Sequence, residues 1–369
     1  MRLTVSDEQR ALRDAVRRFL ADRAPLDRVR ELMETPDGID RAVWHQAGDQ
    51  LGLQGTAIPE EYGGAGFTFA EQAIVLEELG AALYGGPYLA SAVLAATALL
   101  ASDDEAARRE LLPGIASGQT VATLAFTEDD GSWAPDAIRL AATGDRDTWA
   151  LDGHKSFVLD GHTADLILVV ARAGQGLSLF AVPAGANGLA RRALPTLDQT
   201  RKLARLEFDS VPARRIAGDG AAILARTLDV AAVAQAAEQL GGAQRALDMA
   251  VAYAKTREQF GRPIGSFQAV KHRCADLLLE VESLRSAVTY AAAAVAEDSA
   301  EIPVVSALVA AYASDVYFHV AAENIQIHGG IGFTWEHDAH LYFKRAKASE
   351  LFLGDASYHR EHLAERIGV

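Results

Sequence analysis

Over the first ~120 residues, apolar positions recur with helical spacing. Leu12, Val16 and Phe19 share one face of a segment that opens with Ser6 and carries Gln9 three residues later, the reciprocal pattern that caps a helix N-terminus. Leu76, Leu79 and Leu83 continue the helical theme. Between these runs lies Ile58-Pro59-Glu60-Glu61-Tyr62-Gly63-Gly64-Ala65-Gly66, too dense in proline and glycine for a regular helix, which predicts a loop. From about Thr123 to Ala217 the period shortens. Trp149 and Leu151, then Lys155 and Phe157, alternate around Asp152-Gly153, and that dipeptide predicts a hairpin turn. Residues 164–171, 177–182 and 203–211 read as further strands of a compact β domain. From about Ala221 the pattern is helical again. Residues 221–254 are alanine-rich and free of proline, and Gly241-Gly242 interrupts them in a way that suits close helix packing. Leu277, Val281, Leu284 and Val288 mark the apolar stripe of another helix, and a third is expected from about Val304 to His328. Helices of this length with alanine-rich faces predict a bundle.

The resulting order is helical, β, helical: an α+β chain with expected domains at residues 1–121, 122–219 and 220–369. Alternating βαβ units, a GxGxxG turn and a P-loop are all missing from the sequence, which argues against a doubly wound nucleotide fold. No repeat of about 20–50 residues is visible.

Composition narrows the function classes. The net charge of −15 disfavours a nucleic-acid surface, which needs clustered Lys and Arg. The single cysteine, Cys274, has no partner for an internal disulfide and reads as a small buried apolar residue. Arg2 is followed by a polar, amphipathic segment in place of a signal-peptide core, and no uninterrupted apolar run reaches about 18 residues. A cytoplasmic protein with no membrane span is expected. His337 and His340, flanked by Glu336 and Asp338, are too few for a metal site and read as an exposed helix start, so no metal is expected.

Two segments carry the candidate chemistry. One is Thr256-Arg257-Glu258-Gln259-Phe260-Gly261-Arg262-Pro263-Ile264, followed by Phe267-Gln268; the other is Gln326-Ile327-His328-Gly329-Gly330-Ile331-Gly332-Phe333. Both resemble flavin-contacting segments of the acyl-CoA dehydrogenase family. Residues 58–66 resemble that family's "IPEEYGGAG" loop. Thr127-Glu128 with Gly131-Ser132 resembles its "TEPGAGSD" segment, here one residue shorter and with Trp133 where Asp is usual. Gly153-His154-Lys155 matches its "NGxK" turn. The resemblance covers essentially the whole chain. It implies an N-terminal helical domain, a middle β-barrel or sandwich and a C-terminal four-helix bundle.

The resemblance also implies FAD as cofactor. Arg257 is suited to fork onto the pyrophosphate, with Gln259, Phe260 and Gln268 beside it, in a site shared with another subunit. Gln326, Gly329 and Gly330 are expected near the adenine–ribose end, where glycine permits close backbone approach. Thr127, with Ser132 nearby, matches residues facing the flavin, and Phe157 matches the aromatic that covers one face of it. Leu159 stands where many members place a flavin-contacting Thr.

The family's catalytic carboxylate is missing. One known location, the Glu of a "YEGT" segment, reads Phe352-Leu353-Gly354-Asp355, so Leu353 takes the Glu position. The other aligns with Ala231, beside an arginine position that reads Ala232. Glu238, Asp229 and Asp355 lie nearby. Glu238, seven residues on, shares a helical face with Ala231 about 10 Å along the axis. Asp229 points elsewhere. Their bland roles are a structural carboxylate for Glu238 and helix capping for Asp229 and Asp355.

The leading expectation is therefore an acyl-CoA dehydrogenase subunit of a heteromer, resembling bacterial α2β2 assemblies that act on bulky esters such as steroid side chains. The partner would supply the base, acyl-CoA would be the substrate, and electron-transfer flavoprotein the acceptor. A homo-oligomer using Glu238 or Asp355 as a displaced base, and a non-catalytic scaffold, are the alternatives.

Overall fold

The computed structural model describes residues 4–145 and 148–369; Arg2 lies outside them. Before the sheet come α1 (Asp7–Arg23), α2 (Leu26–Met33), α3 (Arg41–Leu51), α4 (Phe69–Ala81), a π-helical stretch (Leu89–Ala95) running into α5 (Ala96–Leu100), and α6 (Glu105–Ala116). The strands are β1 (Ala122–Ala125), β2 (Ala141–Asp145), β3 (Thr148–Leu159), β4 (Leu166–Ala173), β5 (Gly176–Pro183), β6 (Leu189–Leu194) and β7 (Leu203–Ile216). After α7 (Gly220–Thr256) comes a small ribbon of β8 (Glu258–Gln259) and β9 (Arg262–Pro263). Then follow α8 (Gln268–Ala296), α9 (Ile302–His328), α10 (Ala339–Leu351) and α11 (Ala356–Ile367).

The chain folds into two compact units. One holds residues 30–68 and 85–231, including the strands β1 to β7. There β4 pairs with β2, β2 with β3, β3 with β7, β7 with β5, and β5 back with β4, so the ladder closes into a barrel. Strand β1 lies parallel on β4, and β6 adds an antiparallel edge along β7. Leu168, Val169, Phe180, Leu206 and Val211, on β4, β5 and β7, are fully buried. Within the same unit Ser91 Oγ accepts from the Ala122 amide, tying the π-helical stretch to β1, and Tyr88 donates to the Leu53 carbonyl.

The other unit holds the described residues up to Val29, Phe69–Tyr84 and Ala232–Val369. The predicted capping box forms at α1, with Ser6 and Gln9 exchanging both bonds. Leu277, Val281, Leu284 and Val288 are buried on α8 as their spacing predicts. Helices α4 and α7 approach to backbone contact at two glycines. A Cβ on Gly80 would stand 1.9 Å from the Glu238 carbonyl oxygen, and one on Gly241 1.8 Å from that of Glu77. Gly242 faces the Tyr317 ring, where a Cβ would fall 2.4 Å from the ring and its hydroxyl. The Gly241-Gly242 pair is thus a packing device, worth more in closeness than it costs in helix propensity. Buried Glu77 and Glu78 are matched by Arg13, Arg17 and Arg285. Helix α7 and the stretch Ile302–Phe333 are long and apolar enough to cross a membrane by length and composition, but two-thirds of each such window is buried inside the fold. They are core helices.

Several expectations are corrected. Asp152-Gly153 is not a turn: β3 runs straight through it, pairing with β2 on one edge and β7 on the other, and the register against β7 shifts between Leu151 and Gly153. The dipeptide is a bulge, with Gly153 at φ +132° and the Asp152 carboxylate accepting from the Ser210 amide at 2.8 Å. Strands β2 and β3 pair antiparallel, with Asp145 opposite Thr148. Cys274 is half-buried, not sealed. His340 is not exposed: it is buried on the first turn of α10, where its ring stacks on Trp335.

Candidate functional site

The two cofactor motifs of the C-terminal helices meet in the fold. Tyr253, one turn before Arg257, stacks on His328, the residue before Gly329, with ring centroids 4.3 Å apart; His337 packs on the same His328 ring at 4.3 Å. Burial lowers the His328 pKa despite the bond its Nδ1 makes with the Asn324 carbonyl at 2.8 Å. This ring stack fixes the end of α7 beside the end of α9.

Arg257 follows the last residue of α7 and is exposed. After it β8 and β9 form a two-residue hairpin, with Gln259 opposite Arg262. The loop residues Phe260 (φ +53°) and Gly261 (φ +75°) both take left-handed backbone, as a type I′ turn requires. A phenylalanine in that conformation is strained, and it is 91% exposed, with the Phe267 ring edge-on and centroids 6.1 Å apart. Arg262 lies over the Phe267 ring at 4.1 Å and stiffens the hairpin base. Gln268, the first residue of α8, and Gln326, in the last turn of α9, are exposed. Gly329 has φ +64°, and neither it nor Gly330 has any atom within 4 Å of where a Cβ would be. An exposed guanidinium, two exposed amides and an open glycine pair have the chemistry to hold a dinucleotide's pyrophosphate and sugar.

The barrel carries the other predicted flavin residues. Thr127 is buried and donates to the Ser156 carbonyl at 2.6 Å, while the Ser156 amide donates back to the Thr127 carbonyl at 3.0 Å. That clamp sits at a second bulge in β3, between Lys155 and Val158. Phe157 takes φ +58° in the bulge, which turns its ring outward, 37% exposed. The turn at Gly131-Ser132 passes beneath it: a Cβ on Gly131 would meet Phe157 Cε2 at 3.8 Å. The Ser132 amide is held by the Asp130 carboxylate.

Lys155, fully buried, supports the clamp from behind. It donates to Glu128 at 2.9 Å and to the Phe126 carbonyl at 3.0 Å. Burial pushes its pKa down to about 8 although Glu128 opposes the shift. Burial also acts to raise the Glu128 carboxyl, but the Leu140 amide, the Lys155 ammonium and the Arg139 amide outweigh it and leave its pKa lowered.

Leu159 is buried in the core, so no side chain there replaces the missing hydroxyl. The motif matches did not anticipate an ionic cluster around Asp129. Asp129 receives bonds from Arg205 and Ser156, with His154 Nε2 at 3.1 Å, and the Arg205 guanidinium in first place holds its pKa down. The signal was the acid pair Asp129-Asp130, which directly follows Thr127-Glu128 where the family segment continues with Pro-Gly.

The candidate base positions are occupied by other work. Ala231 is fully buried. Leu353 is 5% exposed with φ +66°, a backbone state that is costly for a bulky side chain. Next to it Gly354 has φ +105°, and a Cβ there would strike the Tyr358 ring at 2.2 Å. Gln235 donates to the Phe352 carbonyl at 3.0 Å, pinning this strained turn to α7. Glu238 is bound to buried Arg345 at 2.6 Å. Asp355 caps α11 by accepting from the Tyr358 amide at 2.8 Å. Asp229 is buried in α7 and has interactions of its own. Among the described residues no group of three or more His, Cys, Asp or Glu could hold a metal.

Known proteins share this fold. Family models match along the chain: the acyl-CoA dehydrogenase N-terminal domain over residues 6–119, the middle domain over 123–211 and the C-terminal domain over 218–368. The chain is 38% identical over 351 residues to the acyl-CoA dehydrogenase IpdE2 of Mycolicibacterium smegmatis, covering 95% of this chain and 96% of that one. It superposes on a chain of the ChsE4-ChsE5 complex from Mycobacterium tuberculosis with a TM-score of 0.91 and 33% identity, covering 100% and 99% of the two chains. For a chain of the Tcur3481-Tcur3483 steroid ACAD the TM-score is 0.89 with 34% identity, and 99% of each chain is covered. On sequence, fold and the placement of its motifs together, the chain belongs to the acyl-CoA dehydrogenase family of FAD-dependent oxidoreductases.

Proposed function

We propose that this chain is the base-less subunit of a heteromeric acyl-CoA dehydrogenase that introduces an α,β double bond into a bulky acyl-CoA thioester. The observation that carries this reading is Leu353. The strained turn where the family keeps a catalytic Glu is present, pinned by Gln235 and sealed from solvent, yet its side chain cannot move a proton. A base must lie within hydrogen-bond reach of the proton it takes. Glu238 is committed to Arg345 and Asp355 to a helix cap, so neither fits the displaced-base alternative.

In this reading a homologous partner supplies the carboxylate and most of the acyl pocket. FAD, when bound, accepts the hydride that leaves the β carbon. Arg257 holds its pyrophosphate, with Gln259, Phe260 and Gln268 beside it, and Gln326, Gly329 and Gly330 lie along its adenosine end. Thr127, Ser132 and Phe157 form this chain's barrel-side flavin seat, weakened by Leu159 and flanked by the Asp129–Arg205 pair. The domain limits at 121 and 219, a cytoplasmic location and electron-transfer flavoprotein as acceptor belong to the same proposal. The heteromeric arrangement draws support from the ChsE4-ChsE5 and Tcur3481-Tcur3483 complexes, and the bulky substrate from the steroid activity named for the latter.

The test is co-expression with a homologous chain that retains the Glu. A stable assembly whose turnover disappears when that partner Glu is replaced by Gln supports the reading. Turnover that survives the replacement, or two chains that do not associate, rejects it.

A further inference from the structure

Beyond the motif residues, the loop after Gly329-Gly330 carries an aromatic surface that the proposed chemistry does not yet use. Trp335 lies flat on its own fold. Its ring stacks on His340, with centroids 4.7 Å apart and planes 12° from parallel, and the Lys344 ammonium sits 4.1 Å from the ring centroid. His340 and Lys344 are one turn apart on α10, so they support the ring along one helix face. The ring is still 53% exposed. The loop that holds it is anchored: His337 packs on His328, and the Thr334 and His337 amides close successive turns. Four residues separate Trp335 from Gly330, so their Cα atoms lie within about 18 Å of each other. Phe333, 81% exposed, lies between them in sequence.

We propose that Trp335 is a base-stacking platform for the adenine of an ADP moiety, the group common to FAD and coenzyme A. The inference rests on the reading that Gly329-Gly330 and Arg257 meet the dinucleotide. An aromatic ring whose inner face is pre-packed loses little freedom when a second flat ring lands on it, and base–aromatic stacking tolerates any base. Lys344 and Arg257 add positive charge suited to phosphates on a chain that is otherwise strongly acidic. A partner protein seated on the same aromatics is the competing occupant. A parallel imidazole and a cation beside the ring suit a flat, phosphate-bearing ligand better than an apolar anchor, which favours the nucleotide.

The test uses the full-length, flavin-free chain and ADP as the probe. ADP should quench tryptophan fluorescence saturably, FMN should not, and Trp335→Phe should lose the quenching while keeping part of the affinity measured by calorimetry. Trp335→Leu should weaken ADP binding about five- to hundredfold, with the thermal midpoint serving as the control for folding. Competition between FAD and coenzyme A for the ADP site then identifies the source of the moiety. Unchanged ADP affinity in Trp335→Leu overturns the platform, as does a variant that only weakens subunit association. If FAD binding depends on Arg257 but not on Trp335, the platform fails and the functional reading stands. If neither ADP nor FAD binds the wild-type chain or its assembly, both fail.

Discussion

Arg345 Nη1 lies 2.6 Å from Glu238 Oε1, and only 2% of the arginine side chain is exposed. The pair joins α7 to α10 inside the helical unit. It converts the carboxylate that shares a helical face with the Ala231 position into a structural group.

This fixes the expected behaviour of Glu238 variants. Glu238→Ala removes the carboxylate partner of a buried guanidinium and should cost about 3–5 kcal/mol of stability. The double replacement Glu238→Leu with Arg345→Met removes both charges and should recover most of that loss. Denaturant melts of the single and double variants check this. A stable Glu238→Ala protein in a turnover-deficient assembly would instead make Glu238 a base.

The contact of α4 with α7 makes a second prediction. Gly241→Ala places a methyl 1.8 Å from a backbone oxygen, where no side-chain rotation can relieve the clash. The helices must part, and a loss of roughly 1–3 kcal/mol is expected, the range for overpacking. Gly330→Ala, with open space around the same position, should melt like the wild type in the absence of ligand. The two melting curves decide it.

His359 gives the protein a defined acid sensitivity. Burial first, then His362 and Arg366, push its pKa from 6.5 to about 4, against the opposing pull of Asp355 and the Gly354 carbonyl. In the window between those values the unfolded chain binds a proton that the folded chain refuses. Stability attributable to this group is therefore complete above about pH 6.5 and is lost as pH falls towards 4, by about 1.4 kcal/mol for each pH unit. His328, shifted the same way, acts in the same sense. Unfolding free energy measured from pH 7 to pH 4.5 should fall less steeply in His359→Gln than in the wild type.

At Arg257 the prediction concerns geometry more than charge. Arg257→Lys keeps the cation but loses the planar fork, so flavin retention by the assembly should drop nearly as far as in Arg257→Ala. Equal flavin content in the lysine variant and the wild type would mean that a point charge suffices there.

The fold was legible in the sequence where local chemistry and tertiary packing ask for the same thing. The Ser6–Gln9 cap, the α8 stripe and the Gly241-Gly242 contact are of this kind. It was not legible where one signal serves two structures. Asp152-Gly153 suits a tight turn, but the same glycine freedom also accommodates a bulge inside a strand held on both edges. Strand β1 is only four residues long, and β6 carries Arg191 and Arg192 on an edge, so neither shows the alternation of a half-buried strand. At the candidate site the cofactor motifs were legible from residue identity. The fate of the carboxylates was not, because the Glu238–Arg345 pair joins residues 107 positions apart and only the fold brings them together.

If the carboxylate that drives the reaction belongs to another chain, this chain purified alone and supplied with excess FAD must fail in an acyl-CoA dehydrogenation assay. Poor flavin retention and no double-bond formation are expected until the partner is added. Sustained turnover by the single chain would contradict the borrowed base.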